Sequence, residues 1–140
     1  MRASKYPGKV NMRRREAMLA GLAGASALFV LQSGSAIAQT IEKKGRIDTK
    51  AQKPVDSMIP GFKQVRVREA TWEPGASSKA KMQNPMICEC TQGTLEITAD
   101  DQKFTAKKGH VWTCRAGMIE AVANKGKGPG TMRIFDLLSV

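Results

Sequence analysis

From residue 61 onward the chain alternates. Val65, Val67, Glu69 and Thr71 fall on one face of an extended segment, and Gln64, Arg66, Arg68, Ala70 and Trp72 on the other, which predicts a strand over 61–72. Glu73-Pro74-Gly75 ends it. Proline at the second and glycine at the third position of a turn suit type II geometry, because glycine takes the required positive φ cheaply. After a break at Asn84-Pro85 the alternation resumes, with Met86, Cys88 and Cys90 on one face and Ile87 and Glu89 on the other. Gly93 turns the chain into a strand at 94–98, a hairpin loop at 99–102 and a returning strand at 103–106. Further strands are expected at 111–114, with Trp112 and Cys114 sharing a face, at 119–123 and at 132–138. Residues 124–130, NKGKGPG, predict a mobile, solvated basic loop without the strand–helix context of a phosphate loop. About eight short strands at regular spacing, with turn signals between them, predict an all-β sandwich or barrel.

The region before this pattern is different. Residues 1–38 carry Arg2, Lys5, Lys9 and Arg13-Arg14-Arg15 against one acid, Glu16. An apolar run from Ala17 to about Leu31 follows, broken by Gly21 and Gly24, and Ala36-Ile37-Ala38 offers a small-x-small cleavage pattern. This predicts a signal peptide over 1–38. A membrane span needs about 20 apolar residues, so no anchor is expected after cleavage. The arginine pair and weakly hydrophobic run resemble a twin-arginine signal, although Ala-Met stands where Phe-Leu is usual. A periplasmic or secreted location follows as an expectation. Residues 39–60 are polar with little periodicity and read as an extended arm with a short strand near Ile47, as a disordered linker, or as an arm packed on a partner subunit.

Charge changes this picture little. The chain is +11, of which +5 lies in the leader and +6 in the remainder. The basic residues are interleaved with acids and only 5% of residues are aromatic. No aromatic-basic platform of the kind that binds single strands emerges, so no nucleic acid is expected.

Two blocks carry a resemblance. The first is Pro74-Gly75, five residues, Lys81-x-Gln83, then Met86 and, beyond six further residues, Gly93. The second runs from Gly109 through Arg115-Ala116-Gly117 to Glu120 and Asn124. Together they resemble the motifs of the cupin superfamily, over roughly residues 61–138. The resemblance implies a double-stranded β-helix, or jelly-roll barrel, in 61–140, and pairing into a homodimer, to which the 39–60 arm could contribute. In such barrels the motif positions ligate a metal through three histidines and a glutamate. Here they hold Lys81, Gln83, Met86 and Glu120, and the motif proline is Arg115. A lysine cation has no lone pair to give, so a hard ion held by histidines is not expected.

Two constellations remain. Lys81 and Glu120, both expected to point into the barrel mouth, form either a structural ion pair or a polar site for a small anionic or carbonyl ligand. In the second case Lys81 binds the anion, Glu120 accepts a hydrogen bond or acts as base, Gln83 orients, and Met86 and Trp112 line the site. Lys81 and Glu120 are also the catalytic candidates if the barrel is an enzyme. The second constellation is the inward sulfur row of Cys88, Cys90 and Cys114 with Met86 or Met118. It reads as core, as one disulfide from Cys114 plus a leftover thiol, or as a soft copper(I) site. Cys88 and Cys90 stand about 6.6–6.8 Å apart along one strand and are poorly placed to bridge each other. His110, the lone histidine, is expected at an exposed position.

The reading that joins these observations is an exported cupin-like barrel that binds a small molecule, or supports a partner protein, without a histidine-held metal. A lyase, isomerase or oxygenase with an altered site, and a copper-binding protein, are its alternatives. No cofactor is expected under the first reading, and a bound metal ion under the others.

Overall fold

The structure is a computed structural model that describes residues 38–139; all but the last residue of the expected signal peptide, with its arginine pair and its apolar run, lies outside the described residues. Alternating short segments become eleven strands: β1 (Ala38–Lys44), β2 (Ile47–Ala51), β3 (Val55–Asp56), β4 (Gln64–Trp72), β5 (Ser77–Met82), β6 (Met86–Gln92), β7 (Thr94–Ala99), β8 (Gln102–Lys107), β9 (Val111–Cys114), β10 (Ile119–Ala123) and β11 (Gly130–Leu138). They form two antiparallel sheets, in the order β1-β5-β10-β7-β8 and β2-β4-β11-β6-β9, with β3 added beside β4. The inner faces of the two sheets meet over a core that includes Ala70, Trp72, Leu95, Ile97, Val122, Met132 and Ile134. Fully burying a side chain such as Leu95, Ile97, Val122, Met132 or Ile134 contributes about 1.5–3 kcal/mol. This is the all-β architecture that the alternation predicts, in the jelly-roll arrangement that the resemblance implies.

Turn chemistry sets the connections. Gly75 has φ +81°, and the Ala76 amide donates to the Glu73 carbonyl at 2.9 Å, which is the type II turn expected from Pro74-Gly75. At the β7–β8 hairpin Asp100 takes φ +51°, and its carboxylate accepts from the Ile119 amide and from Arg115.

Three segments differ from expectation. Residues 39–56 hold the short strand expected near Ile47, as β2, but they are not a linker or a free arm: β1 pairs with β5, and β2 and β3 pair with β4. Their side chains are mostly exposed, so edge-strand pairing is carried by backbone groups and leaves no apolar rhythm to read. Strand β5 was not foreseen either, because its inner positions Ser78, Ala80 and Met82 hold only one large apolar side chain. The glycine-rich 124–130 loop is pinned rather than free. The buried Asn124 amide donates to the carbonyls of Trp72 (2.7 Å) and Gly128 (2.8 Å), and its oxygen accepts from the Gly126 amide.

Candidate functional site

Strand alternation decides which side chains enter the barrel. On β4 the inner face is the one holding Arg66, Arg68, Ala70 and Trp72, and on β11 it holds Met132, Ile134, Asp136 and Leu138. Antiparallel pairing then places Asp136 between Arg66 on one side and Met86 on the other. Asp136 is fully buried. It accepts a two-pronged bond from Arg68, Nε to Oδ2 at 2.6 Å and Nη2 to Oδ1 at 3.0 Å. Arg66 Nε lies 3.5 Å from the same Oδ2, too poorly placed for a hydrogen bond. Two guanidinium groups therefore share one carboxylate. The Nε and Nη2 of Arg66 are buried and have no hydrogen-bond partner among the described residues. A buried charge with unmet donors is costly, and such groups are normally satisfied.

Facing this pair from the other sheet is Glu120, buried on β10. Its Oε2 accepts from Trp112 Nε1–H at 2.9 Å and from the Cys114 thiol at 3.2 Å. Burial pushes its carboxyl above the usual range; the two hydrogen bonds and the Arg68 charge offset only part of that. Glu120 and Arg68 line a cavity of about 170 Å³ whose walls are otherwise mainly apolar, with Trp72, Met82, Met86, Val122 and Ile134 among them. Thr40, Lys43, Ile47 and Thr49, from the first two strands, complete its rim.

The sulfur row divides. Cys88, Cys90 and Cys114 are all buried free thiols, so no disulfide joins Cys114 to either partner. A ligand atom from each of Cys88, Cys114 and Glu120 lies within 4.8 Å of the others. Hydrogen bonding to Cys114, burial and the nearby Glu120 charge push the Cys88 thiol strongly up. Cys90 stands apart from this group. Its thiol approaches the carbonyl oxygens of Gln92 and Gly93 at 3.5 and 3.7 Å, and burial pushes it up as well. Met118 packs half-buried against the core. His110 is exposed, as expected, and stacks on Phe104 with ring centroids 5.2 Å apart.

Two expected site residues are misplaced. Lys81 and Gln83 are exposed and face away from the cavity, and Ala80 and Met82 occupy the inner positions. Lys81 pairs across the outer face with Gln39 and Ile119, while Glu120 pairs with Ala80, so no Lys81–Glu120 ion pair exists. Counting five residues from Gly75 overshoots the inner position by one, and a one-residue slip in a strand turns every side chain to the opposite face. The interior positions of the motif are thus Ala80, Met82, Met86 and Glu120. Arg66, Arg68 and Asp136 were missed. Their signal was an aspartate on the face of β11 otherwise held by Met132, Ile134 and Leu138, since a carboxylate on an apolar face calls for an inward cation.

No family model matches the chain, and no curated protein matches its sequence. Solved structures do match. A cupin superfamily protein from Desulfitobacterium hafniense is 25% identical over 70% of this chain and 84% of its own, with a TM-score of 0.52. A Cupin_2 domain of an XRE-family transcriptional regulator from Enterobacter cloacae is 17% identical over 64% of this chain and 93% of its own, at 0.51. A Cupin 2 conserved barrel domain protein from Salinispora arenicola is 19% identical over 66% and 79%, at 0.50. Two antiparallel sheets closing on a shared interior, together with these likenesses, identify the fold: the described residues adopt a cupin fold.

Proposed function

We propose that this barrel is an exported binding protein for a small molecule with an apolar body and one carboxylate-like group. The export part rests on the basic, apolar and small-x-small pattern of residues 1–38. The binding part rests on one observation above others: Arg66 brings two buried, unpartnered N–H donors to an arginine pair that already satisfies its single carboxylate. Arg68 is the guanidinium that lines the cavity, and Arg66 stands behind it on the same carboxylate, so an anion entering beside Arg68 meets the charge of both and can draw the Arg66 donors toward it; charge-assisted bonds to guanidinium are among the stronger ones. The rest of the interior supplies an apolar body of limited size. A cavity of about 150 Å³ accepts benzene, and the interior here is about 170 Å³. The ligand is therefore small, on the scale of a single ring. Met82, Met86 and Ile134 contact the body, and Glu120 offers a hydrogen-bonding edge.

Benzoate and its neutral counterpart benzamide test this directly by calorimetry. Benzoate is expected to bind, benzamide at least about 10-fold more weakly, and Arg66→Gln to lose about 10-fold in benzoate affinity, in keeping with a charged hydrogen bond of about 1.5–3 kcal/mol. Equal binding of the acid and the amide overturns the reading.

A further inference from the structure

Beyond the anion site lies a second arrangement. Cys88 on β6 and Cys114 on β9 sit on adjacent strands, and their register pairs Cys88 with Trp112 and Met86 with Cys114. The two cysteines are therefore diagonal neighbours. Diagonal pairs have Cα atoms about 7–8 Å apart, beyond the roughly 4.4–6.8 Å that a disulfide spans. Their side chains nevertheless converge, and Glu120 joins them from the opposite sheet with all three ligand atoms inside 4.8 Å of one another. The edge of a tetrahedral zinc site with such donors is about 3.5–3.8 Å, so movements of about 1 Å suffice to close the three on one ion. The carboxylate is oriented from behind by Trp112 Nε1–H at 2.9 Å, as metal-ligating carboxylates commonly are.

We propose that Cys88, Cys114 and Glu120 form a binding site for one zinc(II) ion, with the fourth position open toward the barrel cavity. The donor set decides the metal. Two thiolates and a carboxylate suit zinc. A copper(I) site would draw on thiolates and thioethers alone, and the cysteine it would have added, Cys90, faces the backbone carbonyls of Gln92 and Gly93 instead. Loading is balanced by proton release: zinc(II) enters, the two thiols each lose a proton to solvent, and Glu120 Oε2 exchanges its bond from the Cys114 thiol for one to the ion. The open position follows from Glu120 lining the cavity.

The full chain, purified with its thiols reduced, is titrated with zinc against a chromophoric chelator, and with cobalt(II) as a spectroscopic substitute. One equivalent of either metal is expected. Cobalt should give the near-ultraviolet thiolate charge-transfer band and the intense visible bands of a tetrahedral site. Cys88→Ser and Cys114→Ser should each weaken zinc by about 100-fold, Glu120→Gln by at least about 10-fold, and Cys90→Ser should leave it unchanged. Cobalt bound by the native chain without a thiolate band overturns the site, and that reading needs no variant to fold. So does zinc affinity that survives both serine substitutions, or a Cys88–Cys114 disulfide in protein isolated from the periplasm. Tight copper(I) binding that excludes zinc and ignores Glu120→Gln overturns the metal assignment.

Discussion

The two ends of the barrel interior are built on opposite rules. At the end where β11 begins, buried polar groups are uncharged and paired: Asn124 holds the Trp72 and Gly128 carbonyls, Thr131 bonds Thr71 and Gln92, Cys90 faces the Gln92 and Gly93 carbonyls, and Leu95 and Ala106 pack between the sheets. At the end where β11 finishes, Arg66, Arg68, Asp136, Glu120, Cys88 and Cys114 crowd together, and one arginine keeps unmet donors. The first end stabilises the barrel. The second carries charge that burial penalises, and its arrangement makes sense as a site. The same contrast runs through the cysteines, since burial alone does not distinguish Cys90 from Cys88, but their partners do.

The largest test of this contrast is Asp136→Asn. Two guanidinium groups would lose the carboxylate they share, and breaking a buried pair in this way costs about 3–5 kcal/mol. Urea unfolding should show that loss in the midpoint. Arg66→Gln sharpens the point. The Arg68–Asp136 bond survives it, so stability should stay within about 1 kcal/mol while benzoate affinity falls. A large loss of stability without a change in affinity would make Arg66 a structural residue.

Asn124→Ala probes the other end. It strips partners from two carbonyls and from the Gly126 amide, for a loss of about 1–3 kcal/mol. Hydrogen exchange should then rise first in the 124–130 loop, with ligand affinity unchanged.

Glu120 gives a smaller effect with a definite sign. Its folded carboxyl titrates above the usual 4.5 because burial disfavours the charge. Below that value both states are protonated and nothing is lost. As pH rises past it, the unfolded chain releases a proton that the folded chain still holds, so stability falls until the folded group ionises too. The slope is at most about 1.4 kcal/mol per pH unit. In chelator-treated protein, Glu120→Gln should flatten the profile relative to the native chain, and an unchanged profile would mean that Glu120 carries no burial penalty. The smallest effect is expected from Lys81→Ala and Gln83→Ala: within about 0.5 kcal/mol and no change in ligand binding, since both face solvent.

Much of the barrel was legible because burial writes a period of two into β4, β6, β7, β9, β10 and β11, and because Pro74-Gly75 and Gly93 mark turns that few other residues allow. Of the edge strands only β2 was legible, through Ile47; β1 and β3 were not, since backbone pairing at an exposed edge demands little of side chains. Glu120 was found through the fixed spacing of the second motif. Lys81 and Gln83 were misread because the first motif is one residue shorter between its turn and its strand, and alternation converts that slip into the opposite face. Arg66 and Arg68 were seen to share a face with Ala70 and Trp72, but pattern alone did not say that this face was inside. Asp136 resolves it, because a carboxylate among inward apolar residues requires the cations opposite.

Labelling the methionine methyl groups and following them by NMR during a benzoate titration tests the central claim most directly. Met82, Met86 and Met132 line the interior cavity, and Met58 is fully exposed and serves as an internal control. The account predicts saturable shifts at the three interior methyls with benzoate, little response to benzamide, and loss of the benzoate response in Arg66→Gln. Shifts confined to Met58, or identical responses to the acid and the amide, would contradict it.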